Sequence, residues 1–167
     1  MGGLSAQLIY FAYKVRQVFS TSPKGKVLNR GEIGALVRSK PEVQVFLHRT
    51  AADNARNILK SGLSHALNIT STATWSPQDM ERALKNYQTT HKCSTHVVII
   101  EFPFSDADIS DYKRKGNLDG IDGMVIDLLD RVNQGKIDTI PPRYIRGHLE
   151  VATGTFFPNP RFNSRKT

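Results

Sequence analysis

Hydrophobic and polar residues alternate along residues 43–49, "VQVFLHR", where Val45 and Leu47 fall on one face and Phe46 and His48 on the other. A period of two residues is typical of a β-strand, because successive side chains point to opposite sides of a sheet. The pattern therefore predicts a strand that ends near His48.

The apolar period changes to that of a helix directly after this strand. Thr50 is placed to cap the helix, with Asp53 at the capping-box position, and Gly62 is placed to end it in a left-handed conformation. The stripe expected to be buried consists of Ala52, Ala55, Ile58 and Leu59.

Further elements follow along the chain. "THVVIIEFPF" (95–104) predicts a buried strand, and residues 140–162 predict a strand or hairpin that turns at Thr153 and Gly154. Helices are expected over 33–40, from Ser76-Pro77 onward and over 125–136. Residues 20–32 are expected to form a turn-rich linker, and residues 104–124 an acidic loop. Since strands and helices do not alternate regularly, the predicted class is α+β.

The first residues have an apolar stripe of their own, which predicts an N-terminal amphipathic helix. We expect residues 1–40 to form this helix and a linker, and residues 41–167 to form one domain. An exposed stripe over residues 4–19 would favour self-association, or binding to a chaperone or an immunity protein. The stripe consists of Leu4, Leu8, Phe11, Val15, Val18 and Phe19.

Charge and composition limit the partners of the 167-residue chain. Its net charge of +8 favours anionic partners, although residues 101–138 are acidic on balance. A single cysteine, Cys93, excludes an internal disulfide and a cysteine-based metal site, so no metal is expected. No apolar run has the length of a membrane span. The expected location is the cytoplasm, either of the producing cell or of a cell reached by a secreted effector.

Three stretches, taken in order, resemble the motifs of the ADP-ribosyltransferase-like fold. They are "LHRT" followed by the helix "NARNILKSGL", then "TSTATWS" (70–76) leading to a helix with Tyr87, and finally "HLEV" with Glu150. The family has a histidine and a threonine on its first strand, a Ser/Thr or tyrosine motif in the middle and a glutamate on a late strand. Arg49 departs from the small glycine that usually follows the histidine. The resemblance implies a split β-sheet core with flanking helices.

The resemblance also implies a function, namely cleavage of NAD and transfer of ADP-ribose by a bacterial toxin or effector. Breaking the nicotinamide–ribose bond creates an oxocarbenium-like cation, which a carboxylate stabilises. Glu150 is the candidate for this role, with Glu101 as its rival, and His48 is the second candidate catalytic residue. The candidate NAD-binding residues are His48, Arg49, Thr50, Ser71, Thr72 and Tyr87, with Trp75 as another aromatic candidate.

Two other functions remain open on the residues alone. A small basic ribonuclease would use His48, Arg49, Thr50 and His148 as acid–base groups and as a phosphate clamp. A catalytically inactive module would bind a polyanion through the basic faces. For the transferase we expect a protein acceptor rather than nucleic acid, because the sequence has no basic segment interleaved with aromatic residues.

Overall fold

A six-stranded antiparallel sheet organises the computed structural model, which describes residues 24–64, 68–90, 94–115, 120–133 and 139–163. The strands are β1 (Lys26–Val27), β2 (Gln44–Thr50), β3 (Leu63–Ser64), β4 (Ile69–Ser71), β5 (His96–Phe102), β6 (Thr139–Ile140), β7 (Ile145–Glu150) and β8 (Thr155–Pro158). The strand order is β1-β8-β7-β5-β2-β4, and β3 pairs with β6 in a separate two-stranded sheet.

Helices cover both faces of the large sheet. The helices are α1 (Arg30–Val37), α2 (Ala52–Ser61), α3 (Pro77–Thr90), α4 (Asp106–Arg114) and α5 (Ile121–Asn133). One face packs against α2, α4 and α5, and the other against α1 and α3. A short 3-10 helix, Pro142–Tyr144, leads into β7. The predicted α+β class is confirmed.

Alternation along the central strands divides the core into two layers. Phe46, Val98 and Ile100 pack under α2, whereas Val45 and Val97 pack under α1 and α3. All five side chains are at least 97% buried. Strands buried on both faces read as continuous apolar runs, which explains "VVII" at the centre of β5.

Several local predictions are confirmed. Gly62 ends α2 with a φ of 89°, and its N–H donates to the carbonyl of Ile58 at 2.8 Å. Ser76 caps α3 through a 3.1 Å hydrogen bond from the backbone N–H of Asp79. The turn between β7 and β8 contains Gly154, with a φ of 72°.

The prediction that Thr50 caps α2 is wrong. Thr50 is the last residue of β2, and the N-cap of α2 is Ala51, which has no side-chain cap. Asp53 instead pairs with Arg56. Because β2 continues through Thr50, the side chain of this residue lies on the face of the sheet that α2 covers.

The predicted acidic loop is wrong in part, because α4 and the first turn of α5 occupy much of it. Ser105 and Asp108 form a reciprocal capping box that starts α4, and the acidic first turn suits a helix N-terminus. Part of the expected linker also forms regular structure, since β1 lies within it and α1 starts in it. Since β1 pairs with β8, residues 26–37 share a core with the residues after 41.

Some predictions fall outside the described residues. These are the amphipathic helix over 4–19 and the side chain of Tyr87, whose backbone lies in α3. Among the helices that are described, none has both the length and the hydropathy needed to cross a membrane.

Candidate active site on the α2 face of the sheet

Polar side chains from three neighbouring strands meet at one end of the sheet. Thr50 of β2 pairs with His96 of β5, which pairs in turn with Glu150 of β7. Directly paired residues of an antiparallel sheet project to the same face, with Cβ atoms about 5 Å apart. The three side chains therefore form a row on the face that α2 covers.

A second row lies two residues further along the same strands, away from the end of the sheet. His48 pairs with Val98, which pairs with His148, which pairs with Phe157 of β8. His48 and His148 belong to the same face as the first row, since two residues along a strand return to the same side. His48, Thr50, His96 and His148 are each at most 8% exposed.

Helix α2 packs against the part of this site that β2 contributes. It starts directly after β2 and packs Ala55 and Ile58 into the core beneath it. Its first turn places the side-chain amide of Asn54 to donate to Oγ1 of Thr50 at 2.6 Å. The Thr50 hydroxyl is thus fixed by the helix that follows it.

Glu150 is the most accessible acidic group of the site, with a side chain 33% exposed. Its Oε1 accepts a hydrogen bond from the Thr153 hydroxyl at 3.1 Å, and its Oε2 lies 3.6 Å from Nε2 of His96. Nδ1 of His96 lies 2.8 Å from Oγ1 of Thr95. The carboxylate therefore reaches solvent at the end of β7 with one oxygen held by the following turn.

His148 is buried between aromatic rings. It stacks on Phe157 with ring centroids 4.7 Å apart and an interplanar angle of 16°, and its centroid lies 5.0 Å from that of His96. Burial, with His96 and Arg56 nearby, lowers the pKa of His148 to about 4. Nδ1 of His148 is buried and has no hydrogen-bond partner among the described residues.

Burial also lowers the pKa of His96, and this effect outweighs the opposing attraction of Glu150. A low dielectric disfavours the protonated ring. Both rings are therefore neutral at pH 7. Neutral imidazoles can act as hydrogen-bond donors and acceptors without adding positive charge to the site.

The other predicted binding residues lie elsewhere. Arg49 pairs with Val97 and so belongs to the opposite face of the sheet. Ser71 ends β4 and pairs with Phe46, so it projects to the same face as His48 but lies four residues along β2 from the Thr50 end; its hydroxyl accepts from the N–H of Ala73 at 3.2 Å. Thr72, 1% exposed, bonds to Ser39 and to the carbonyl of Val45. Register therefore places His48, Thr50 and Glu150 on one face toward the same end of the sheet, with Ser71 away from that end and Thr72 in a separate set of hydrogen bonds.

Glu101, the rival carboxylate, occupies the opposite face, since it pairs with Val45. Its side chain is 13% exposed, and its Oε2 accepts from Arg146 at 2.7 Å. The partner, Arg146, comes from the neighbouring strand β7. Only Glu150 shares a face with the histidines.

Sequence analysis missed His96, Asn54 and Thr153 as members of this site. A histidine at the start of a strand was visible in "THVVII", but its register opposite Thr50 and Glu150 was not.

In the part of the chain that the structure describes, no three His, Cys, Asp or Glu side chains are arranged to hold a metal ion.

The chain matches no protein-family model, no curated protein and no solved structure.

Proposed function

We propose that the protein is an NAD-dependent ADP-ribosyltransferase, with Glu150 as its catalytic carboxylate. The observation that supports this most directly is the convergence of the first and last motifs. His48 and Thr50 project to the same end and the same face of the sheet as Glu150, and only β5 separates their strands. The motifs lie about a hundred residues apart in the sequence, so their meeting is a property of the fold.

The reaction needs a negative charge beside the ribose. The C1′–N bond to nicotinamide breaks, nicotinamide leaves with the bonding electrons, and C1′ becomes cationic. A carboxylate stabilises that cation and accepts a hydrogen bond from the ribose 2′-hydroxyl. The acceptor nucleophile then bonds to C1′ and loses its proton. The exposure of Glu150 at the end of β7 suits this role.

The neutral histidines are suited to lie beside NAD without weakening the effect of the carboxylate. Since neither ring carries a charge at pH 7, His96 does not cancel the charge on the carboxylate. Nδ1 of His148 is a buried hydrogen-bonding group with no partner among the described residues. His48 and the fixed hydroxyl of Thr50 are the corresponding groups on β2. A toxin or effector role, with a protein acceptor, follows from the resemblance and remains part of the proposal.

A ribonuclease is the alternative that the site also favours, because two histidines lie beside one carboxylate. Cleavage by paired histidines needs one ring protonated as the general acid and one neutral as the base. Burial lowers the pKa of both His96 and His148, which disfavours the protonated ring that the general acid requires. For this reason we place NAD cleavage first.

The test is nicotinamide release from NAD by the purified full-length chain, with Glu150→Gln and Glu101→Gln measured beside the wild type. We expect Glu150→Gln to abolish release and Glu101→Gln to retain it, because only Glu150 lies with the histidines. Circular dichroism of each variant checks folding. Labelled NAD added to a lysate that is separated into protein and nucleic acid identifies the acceptor.

The opposite results reject the proposal. Absence of nicotinamide release by the wild type, even with lysate added, would contradict NAD cleavage. RNA degradation without NAD that is lost in His148→Phe would favour the ribonuclease. Full activity of Glu150→Gln with loss in Glu101→Gln would move the reaction to the other face of the sheet.

A further inference from the structure

A cavity lies between α1 and α3, on the face of the sheet opposite the candidate active site. It has a volume of about 750 Å³, which is within the range of small-molecule sites. Its floor is apolar and includes Ile33, Met80 and Leu84. Trp75, which is half-buried, also lines this cavity. We call this cavity the α1–α3 groove.

The groove carries more positive than negative charge. Arg30, Arg38 and Lys40 line it, whereas Glu81 is its acidic residue and pairs with Arg30 at 3.0 Å. Among the described residues, Arg38 and Lys40 form no side-chain ion pair. These two cations are therefore available to an anion.

An adjoining cavity, of about 400 Å³, also contains Arg38 and Lys40, together with Glu42 and Glu101. Glu101 is held by Arg146, so its charge is compensated. One carboxylate, Glu42, thus faces two cations at this end of the groove. The excess charge remains positive.

A buried hydrogen-bond node connects the cationic end of the groove to Trp75. The Ser39 and Thr72 hydroxyls lie 2.9 Å apart, and Thr72 donates to the carbonyl of Val45 at 3.1 Å. Ser39 lies between Arg38 and Lys40 in the sequence, and the N–H of Trp75 donates to the carbonyl of Thr72 at 3.0 Å. The node therefore fixes the basic segment and the tryptophan next to each other.

We propose that the α1–α3 groove binds a nucleotide, whose base lies against Trp75 over the apolar floor and whose phosphate meets Arg38 and Lys40. Indole is a large aromatic surface on which a base can stack, and guanidinium forms paired hydrogen bonds with phosphate. A purely acidic peptide would use the cations but would have no particular need of the indole. The proposal does not depend on NAD cleavage, because the two sites occupy opposite faces.

Trp75 is the only tryptophan of the chain, so its fluorescence reports on the groove directly. The full-length protein is titrated with adenosine monophosphate and, separately, with a ten-nucleotide single-stranded RNA, in the absence of NAD. We expect saturable quenching by at least one of them. Saturation by the monophosphate identifies a free nucleotide as the ligand, whereas quenching by the RNA alone, weakening steeply with salt, identifies a strand.

Paired variants test the contacts. The double variant Arg38→Gln/Lys40→Gln is expected to weaken binding about tenfold or more, since charged contacts to phosphate are lost. Trp75→Ala, measured by calorimetry because it has no tryptophan, is expected to weaken binding about tenfold through lost stacking. The control is Arg114→Gln/Lys115→Gln, which removes two exposed cations at the end of α4 and is expected to bind as the wild type does.

Three results would overturn the proposal. The first is the absence of quenching and of calorimetric binding with both ligands. The second is an equal loss of binding in the α4 control, which would indicate non-specific attraction to a basic protein. The third is binding of a poly-glutamate peptide more tightly than either nucleotide ligand.

Discussion

Nε2 of His96 lies 3.6 Å from Oε2 of Glu150, which is longer than a hydrogen bond. Burial lowers the pKa of the ring, so at neutral pH the two groups are close without forming an ion pair. The hydrogen bond that orients the carboxylate comes instead from Thr153, at 3.1 Å. Glu150 therefore keeps its own charge while the turn after β7 sets its direction.

Removal of the Thr153 hydroxyl is expected to slow the proposed NAD cleavage without preventing NAD binding. Thr153→Ala should lower kcat by up to about tenfold and leave KM nearly unchanged, since one hydrogen bond contributes about 1 kcal/mol. Steady-state nicotinamide release measures both constants. Thr153→Ser retains the hydroxyl and should restore the rate. Wild-type kcat in Thr153→Ala would show that this turn does not orient the carboxylate.

Stability should fall as the solution becomes acidic, because His148 is buried as a neutral ring. In the unfolded chain its pKa is near 6.5, whereas in the folded protein it is about 4, so between these values the unfolded state binds more protons. The stabilisation is complete above pH 6.5 and is lost toward pH 4, to a total of roughly 3 kcal/mol. Urea unfolding at pH 7 and pH 4.5 measures this loss.

The matched variant for this prediction is His148→Phe. It retains an aromatic ring against Phe157 but cannot be protonated. We expect the difference in unfolding free energy between the two pH values to shrink in this variant. An unchanged difference would assign the acid sensitivity to other groups.

The hydrogen bond between Asn54 and Thr50 should stabilise the junction of β2 and α2. Thr50→Val removes the acceptor of the 2.6 Å bond and is expected to lower the free energy of unfolding by about 1 kcal/mol. The exposed Asn54 can bind water instead, which limits the loss. Thr50→Ser, with its hydroxyl retained, is the control in urea titrations. A loss in Thr50→Ser as large as in Thr50→Val would attribute the effect to packing.

Two glycines should respond oppositely to alanine. Gly62 has a φ of 89°, and a Cβ there would meet the carbonyl oxygen of Ile140 in β6, so Gly62→Ala should cost roughly 2 kcal/mol or more. A Cβ at Gly34 within α1 meets no atom within 4 Å, so Gly34→Ala should stabilise by up to about 1 kcal/mol. Thermal unfolding compares them. Equal effects at both sites would contradict the assigned conformations.

Strong local patterns predicted much of the secondary structure. The apolar runs gave β2 and β5, Ser76 marked the start of α3, and Gly62 and Gly154 marked a helix end and a turn. The wrong predictions arose where a residue type suits two different local structures. Thr50 was interpreted as a cap because its residue type suits one, but pairing with His96 keeps it in the strand. Residues 106–114 looked like a loop because their acids are dense, yet Ser105 and Asp108 cap a helix there.

The candidate site was only partly accessible from the sequence. Motif order pointed to His48, Thr50 and Glu150, whereas Thr72 was grouped with them although it belongs to the node beneath the α1–α3 groove. Glu101 and Glu150 could not be separated, since both lie on strands. Only strand register assigns them to opposite faces.

The sequence by itself determined the α+β class, the positions of the strongest strands and turns, and the excess of positive charge, because these depend on composition and on neighbours a few residues apart. The tertiary structure alone decided which polar residues meet. Register across β2, β5 and β7 aligns Thr50 with His96 and Glu150, and packing of α1 beside α3 places Arg38 and Trp75 along the same groove. Such contacts depend on pairing between distant segments, and a one-residue shift in register would move every side chain to the other face.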